Sequence, residues 1–145
     1  MGSVKILLIE DSKISRYDNV RALTKAGYEV ICADDGPSGL QFAQQQSPDL
    51  ILLDLLLPQL SGLEVLRRLK TDPQTAAIPV AILTALSGRN REKLIAAGAE
   101  DYFEKSTLMP ARGENLLPKA LEDLFCRLNH KRERLAAAAT SGHQT

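Results

Sequence analysis

The chain has 145 residues, about the length of one domain. Its 18 Lys and Arg balance 18 Asp and Glu, and a net charge of zero argues against direct binding to nucleic acid or to an anionic membrane surface. The apolar and charged fractions, 44% and 25%, are those of a folded soluble protein and exclude wholesale disorder.

No apolar run approaches the length of about 18 residues that a membrane span requires. The N-terminal residues lack the features of a secretory signal peptide, so we expect the protein in the cytoplasm. The two cysteines, Cys32 and Cys126, are too few for a disulfide framework, and both stand among apolar residues. We therefore expect both to be reduced thiols in the core.

Five apolar segments are predicted to form β-strands. They are residues 4–9, 28–32, 50–53 and 78–83, with residues 102–103 as a very short fifth strand. Three of the first four are almost continuously apolar, which favours strands covered on both faces, as in a parallel sheet.

Segments with helical periodicity separate these strands. In the first, Ile14, Tyr17, Val20 and Leu23 recur every three residues, which predicts an apolar stripe on a helix that ends at Gly27. Further helices are predicted from about residue 36, over residues 61–72, over residues 91–97 and from about residue 115.

The alternation of strand and helix predicts an α/β fold, in which helices cover both faces of a doubly wound, five-stranded parallel sheet. Residues 1–130 are expected to form this domain. Residues 131–145 are a charged, Ala-rich extension, which we expect to continue the last helix to about Ala139 and then to be disordered.

Polar side chains follow four of the five predicted strands. Glu10 and Asp11 come after the first, Asp54 after the third, Thr84 after the fourth and Lys105 after the fifth. Sites in such sheets form at the carboxyl ends of the strands, so these groups are predicted to meet. Three neighbouring carboxylates repel one another, and Mg²⁺ would relieve that repulsion. Asp54 is then a candidate nucleophile toward phosphorus, while Mg²⁺, Thr84 and Lys105 would neutralise the phosphoryl oxygens.

Four stretches of the chain carry a resemblance to a known family. ILLIEDS, DLILLDLLLPQLSG, VAILTA and DYFEKS resemble the receiver domain of bacterial two-component response regulators, and the similarity covers residues 4–128. The resemblance implies a flavodoxin-like sheet of order 2-1-3-4-5. It also implies the family's site roles: the acidic Mg²⁺-binding pair Glu10 and Asp11, the phosphoacceptor Asp54, a Mg²⁺-binding carbonyl at Leu56, the switch residues Thr84 and Tyr102, and the active-site lysine Lys105.

By the same resemblance, the protein takes a phosphoryl group onto Asp54 from a phosphohistidine of a sensor kinase or a histidine phosphotransfer protein. It is then a signalling switch rather than an enzyme. Phosphorylation would draw Thr84 toward the phosphoryl group, turn Tyr102 inward and change binding to a downstream protein. We expect a stand-alone receiver, with the last helix as the surface for any homodimer.

Three other functions are weighed against this one. A phosphorylation-independent interaction module of the same fold is the main alternative, although the intact Asp54, Thr84 and Lys105 argue against it. A Mg²⁺-dependent phosphohydrolase would need an acid or base two residues after the nucleophile, where this chain has Leu56. A flavin carrier would need a phosphate-binding Gly/Ser/Thr-rich loop after the first strand, which the sequence lacks.

The chain departs from the family directly after Lys105. The family usually has a proline in a cis bond there, whereas this chain has Ser106, for which a cis bond costs about 3 kcal/mol or more. The turn is therefore expected either to be trans or to hold strain. The following connection is longer than usual, and Pro110, Gly113 and Pro118 oppose helix continuation. The last helix is therefore predicted to start near Asn115, with Pro118 tolerated within its first turn.

Overall fold

Five parallel strands form one sheet in the order β2-β1-β3-β4-β5. The computed structural model of the protein describes residues 3–109 and 113–142. This architecture confirms the predicted α/β class and strand order. The strands are β1 (Lys5–Ile9), β2 (Glu29–Ala33), β3 (Leu50–Leu53), β4 (Val80–Thr84) and β5 (Asp101–Glu104).

Helices connect the strands and cover the sheet. Three of them begin after a side chain that caps the first turn: Ser12, Asp35 and Ser61 each accept a hydrogen bond from the backbone amide three residues on. A single 3₁₀ turn, Gly88–Asn90, precedes the fourth. The helices are α1 (Lys13–Lys25), α2 (Gly36–Gln46), α3 (Gly62–Thr71), α4 (Arg91–Ala96), the one-turn α5 (Lys105–Leu108) and α6 (Leu117–Gly142).

The sheet separates two apolar cores. Alternate residues of β1 point to opposite faces, so Leu7 and Ile9 enter one core, while Ile6 and Leu8 enter the other. Residues of α2, α3 and α4 fill the first core, and residues of α1 and α6 fill the second. Both faces are therefore covered, as the continuous apolar strands require.

The apolar stripe predicted for α1 is wrong over its first half. Ile14 and Tyr17 are 77% and 64% exposed, whereas Leu23 is buried together with the polar Asn19. A residue three positions further along a helix falls about 60° short of a full turn. A strict three-residue repeat therefore winds around the helix instead of following one side.

Asn19 is buried because it has polar partners at the start of α6 and on α1. Asn115 Nδ2 donates to Asn19 Oδ1 at 2.9 Å, and Asn19 Nδ2 donates to Ser15 Oγ at 3.4 Å. Asn115 Oδ1 in turn accepts from the amide of Leu117, the first residue of α6, at 2.9 Å. The hydrogen bond between Asn19 and Asn115, called here the Asn19–Asn115 pair, joins the middle of α1 to the start of α6. The first residue of α6, Leu117, lies two residues after the predicted start.

The last helix is longer than predicted. It continues three residues past Ala139 to Gly142, while residues 143–145 of the predicted disordered end lie outside the described residues. Its stripe of Leu117, Leu121 and Leu124 is buried against the sheet. No helix within the described residues is long and apolar enough to cross a membrane.

The prediction of two core thiols is wrong for Cys126. Both cysteines are free, but Cys126 is exposed, whereas Cys32 is half-buried and packs against the second core. Cys126 follows Leu124 by two residues, which places it on the side of α6 that faces away from the sheet.

The turn after β5 has the trans form, one of the two that were expected. The described residues contain no cis peptide bond, so the bond between Lys105 and Ser106 is trans. Lys105 is at the same time the first residue of α5.

Candidate functional site

The pairing of β1 with β3 brings three carboxylates together. Ile9 lies opposite Leu53, and the amide of Asp54 donates to the carbonyl of Ile9 at 3.1 Å. Glu10 and Asp54 therefore leave the sheet side by side. Carboxylate oxygens of Glu10, Asp11 and Asp54 all lie within 4.8 Å of one another.

The ammonium group of Lys105 lies against two of these carboxylates. Its Nζ donates to Asp54 Oδ2 at 3.1 Å and to Glu10 Oε1. Asp54 Oδ1 accepts from the amide of Leu56 at 3.2 Å. Glu10 and Asp54 are only 1% and 6% exposed, so water screens these charges weakly.

Burial and close contact move the pKa values of this cluster in opposite directions. Burial, followed by the hydrogen bond with Asp54, raises the pKa of Glu10 from 4.5 to about 7. Burial alone would raise the pKa of Asp54 as well, but hydrogen bonds from Glu10, the Leu56 amide and Lys105 lower it below 3.8. Burial lowers the pKa of Lys105, yet both carboxylates raise it overall. In the metal-free protein, Glu10 therefore keeps its proton to a higher pH than an ordinary carboxyl, while Asp54 is ionised beside the charged Lys105.

The predicted site residues Thr84 and Leu56 lie at the same edge of the sheet. Thr84 ends β4, is fully buried, and its Oγ1 accepts from the amide of Leu86 at 3.4 Å. Its hydroxyl makes no hydrogen bond to Asp54 or Lys105 within the described part of the chain. The Leu56 side chain is 53% exposed, and the role of its carbonyl as a metal ligand stays a prediction.

Tyr102 points into the core. The residue is 4% exposed, and its hydroxyl donates to the carbonyls of Leu86 at 3.2 Å and Ser87 at 2.8 Å. Burial, with the nearby charge of Glu104, raises the pKa of the phenol. The ring therefore already holds the loop between β4 and α4 in the unphosphorylated protein.

Two residues of α1 that the sequence does not single out lie against the acidic pair. Arg16 Nη1 donates to the carbonyl of Glu10 at 2.8 Å, and Ser15 lies close enough to lower the pKa of the Glu10 carboxyl. Both are polar residues at partly exposed positions of α1, so no local pattern marks them.

A third unpredicted residue, Asp101, joins α4 to α6 across β5. Its Oδ1 accepts from Arg91 Nη2 at 3.2 Å and from the amide of Tyr102 at 2.7 Å, and its Oδ2 accepts from Arg127. Asp101 is 5% exposed, so both arginines supply the charge that a buried carboxylate needs.

The donor atoms of the site fit a magnesium ion. Glu10 Oε2 is buried and has no hydrogen-bond partner among the described residues. Buried carboxylate oxygens are rarely left without a partner, so this oxygen is a candidate metal ligand. The exposed Asp11 and the buried Asp54 add two more carboxylates at the same point. Mg²⁺ prefers oxygen ligands of this kind and keeps part of its water shell, for which the open side at Asp11 leaves room.

The response regulator receiver domain family matches residues 6–112 of the chain. The chain belongs to this family. Protein PilH of Pseudomonas aeruginosa is 36% identical over 115 residues, which cover 78% of this chain and 91% of PilH. The response regulator PleD of Caulobacter vibrioides is 41% identical over 104 residues, or 71% of this chain. The matched part is 23% of PleD, so the chain spans about a quarter of that relative.

A solved receiver domain shows the same architecture. The receiver domain of the sensor histidine kinase PA1611 from Pseudomonas aeruginosa superposes with a TM-score of 0.70 at 29% identity. The match covers 87% of this chain and 97% of that domain, whose structure has a magnesium ion coordinated in the active-site cleft. Membership of the family thus agrees with the arrangement of acidic groups at the strand ends.

The raised pKa of Glu10 predicts how the stability of the metal-free protein depends on pH. Native Glu10 keeps a proton that the unfolded chain releases, so the free energy of unfolding should fall as pH rises from about 4.5 to about 7. Asp54 contributes only at lower pH, because its pKa lies below 3.8. Urea unfolding in EDTA at a series of pH values measures this slope.

Two variants make this measurement specific. Glu10→Gln should flatten the slope between those pH values, whereas Glu29→Gln, at an exposed position of β2, should leave it as in the wild type. Equal slopes in the wild type and Glu10→Gln would contradict the assignment of the proton to Glu10.

Proposed function

We propose that this chain is the phosphoacceptor of a two-component system, in which Asp54 takes a phosphoryl group from a phosphohistidine of a sensor kinase or a histidine phosphotransfer protein. The observation that carries the proposal is the position of the Asp54 carboxylate. It is nearly buried, its pKa is lowered, and it lies between the Lys105 ammonium and the acidic pair. An ionised carboxylate held in this way is a suitable nucleophile.

The transfer forms a bond between an Asp54 oxygen and phosphorus while the phosphorus–nitrogen bond of the donor breaks. The imidazole leaves with the bonding electron pair. Lys105 supplies positive charge to the phosphoryl oxygens, and Thr84 supplies a hydroxyl from the end of β4. Mg²⁺, held by Glu10, Asp11, Asp54 and the Leu56 carbonyl, would neutralise further charge on those oxygens.

The product stays attached to the protein, so the chain acts as a switch and not as an enzyme with turnover. Among the described residues, the Thr84 hydroxyl makes one side-chain hydrogen bond, which it accepts from the amide of Leu86, so it remains available to donate to a phosphoryl group on Asp54. Tyr102 is bonded to that same loop through Leu86 and Ser87. A movement of Thr84 would therefore reach α4, β5 and α6, where a downstream protein binds.

Exposed apolar side chains support docking of a protein donor beside the site. Ile14 and Tyr17 on α1 and Leu56 after β3 are 77%, 64% and 53% exposed, and α1 and the loop after β3 both start at the carboxyl edge of the sheet. Apolar groups that stay exposed beside a reactive carboxylate are typical of a surface that a partner covers.

Phosphorylation can be tested without the natural donor. The full chain is incubated with acetyl phosphate and Mg²⁺, and its intact mass is measured. We expect the addition of one phosphoryl group in the wild type and in Asp123→Asn, an exposed control on α6, and none in Asp54→Asn. Asp11→Ala should abolish the addition while the fold stays intact, because the acidic pair then lacks a metal ligand.

The other outcomes separate the alternatives. Added mass that persists at the same level in EDTA would contradict the role of Mg²⁺. A folded protein that gains no mass would favour a phosphorylation-independent interaction module. Free phosphate released at steady high turnover would favour a phosphohydrolase.

The phosphoryl group is expected to persist on Asp54 for longer than is usual in the family. By the family resemblance, residues two positions after the phosphoacceptor and after the switch threonine flank the approach of water, and here both are leucines, Leu56 and Leu86. Neither can orient a water molecule for attack. Leu56→Asn or Leu86→Glu should speed hydrolysis by about tenfold, equivalent to about 1.4 kcal/mol of barrier.

The lifetime is measured from the loss of phosphorylated protein after the donor is removed. Leu135→Asn, far along α6, is the matched control and should decay like the wild type. Rapid decay in the wild type that neither active-site substitution changes would show that these leucines do not control access of water.

We also propose that α6 supports a homodimer. Beyond its buried apolar stripe, α6 has a charged turn from Lys131 to Arg134, and the next residue, Leu135, is 62% exposed beyond the sheet. Sedimentation of the full chain should show a dimer at high concentration, which Leu135→Glu weakens and Asn129→Glu, on another side of the helix, does not. A monomer at every concentration, with and without acetyl phosphate, would contradict this.

A further inference from the structure

The two adjacent carboxylates of the site lie on a very short connection. Glu10 and Asp11 are the two residues between β1 and Ser12, the cap of α1. The amide of Glu10 is fixed by the carbonyl of Ala33 at 2.9 Å. The carbonyl oxygens of Glu10 and Asp11 need donors of their own.

A single guanidinium group supplies these donors. Arg16 Nη1 lies 2.8 Å from the carbonyl oxygen of Glu10 and 3.4 Å from that of Asp11. Arg16 is half-buried, and it forms no ion pair with Glu10, Asp11 or Asp54 within the described residues. Its contact with the acidic pair therefore runs through the backbone alone.

The Asp11 side chain depends on that backbone. Glu10 and Asp54 are held by Lys105, but no hydrogen bond or ion pair reaches the Asp11 carboxylate from residues 3–109 and 113–142. Its direction is set by the peptide planes on either side of it. The carbonyls of those planes are the ones that Arg16 holds.

We propose that Arg16 is a positioning residue, which fixes the Glu10–Asp11 backbone so that the Asp11 carboxylate meets those of Glu10 and Asp54 around a divalent cation. The proposal rests on the Mg²⁺ site of the proposed function. Groups that hydrogen-bond to metal-ligand residues and orient them, without contacting the metal, contribute about 10- to 100-fold to metal affinity in other proteins.

The charge of Arg16 makes the proposal easy to test, because the two effects of the side chain have opposite signs. A fixed positive charge near a cation site repels the cation, so its loss alone should tighten Mg²⁺ binding. Loss of the two carbonyl contacts should instead weaken binding. The sign of the change therefore separates positioning from simple electrostatics.

The experiment is a Mg²⁺ titration of the unphosphorylated full chain, followed by amide chemical shifts in NMR. We expect Arg16→Met to raise the Kd for Mg²⁺ by about tenfold, at the lower end of the range above. Arg16→Lys, which keeps the charge and one donor group, should lie between Arg16→Met and the wild type. Arg21→Met, an exposed arginine on α1, should bind Mg²⁺ as the wild type does.

A second measurement separates positioning from a general loss of structure. Thermal unfolding in EDTA should give similar Tm values for all four proteins, and saturating Mg²⁺ should restore the phosphorylation rate of Arg16→Met. If Arg16→Met is poorly folded, the test relies on Arg16→Lys instead. This variant should bind Mg²⁺ more weakly than the wild type while its Tm equals that of the wild type.

Two results would overturn the proposal, and a third would overturn its foundation. Unchanged or tighter Mg²⁺ binding in folded Arg16→Met would show that the side chain does not position Asp11. Equal Kd values for Arg16→Lys and the wild type would do the same. A wild-type protein that binds no Mg²⁺ would instead contradict the metal site of the proposed function, whatever Arg16 does.

Discussion

The parallel pairing of β1 with β3 is the constraint on which the site depends. It places Glu10 and Asp54 at adjacent strand ends, where two nearly buried carboxylates would repel each other. In the metal-free protein the ammonium of Lys105 compensates that repulsion, and below a pH of about 7 a proton on Glu10 reduces it further. For this reason β5 has to end at the same edge of the sheet, although β4 separates it from β3.

The strands and the acidic site could be predicted because their signals are local. A strand covered on both faces is a continuous apolar run, and the polar residue that follows it, such as Asp54 or Thr84, marks the edge where sites form. The predicted apolar stripe on α1 is wrong over its first half because spacing alone does not reveal which side of a helix packs against the core. Ile14 is exposed there, while Asn19 is buried.

The residues that escaped prediction are polar groups whose partners lie far along the chain or are backbone atoms. The buried Asn19 has its long-range partner in Asn115, 96 residues away, and the buried Asp101 has its two charged partners in arginines of α4 and α6. Arg16 contacts carbonyl groups, which every residue possesses. Nothing in the neighbouring sequence distinguishes these side chains from solvated ones, so only the folded arrangement reveals them.

The Asn19–Asn115 pair anchors the start of α6 to the middle of α1. Sliding α6 along α1 by one turn would separate the buried amide of Asn19 from the half-buried amide of Asn115, and a buried polar group left unpaired costs about 1–3 kcal/mol. The start of the helix is therefore anchored, while its 26 residues reach about 39 Å to the far end. Asn19 also bonds to Ser15, which lies beside Glu10, so this anchor is connected to the acidic pair. A tilt of about 3° at the anchor would move the far end of α6 by about 2 Å.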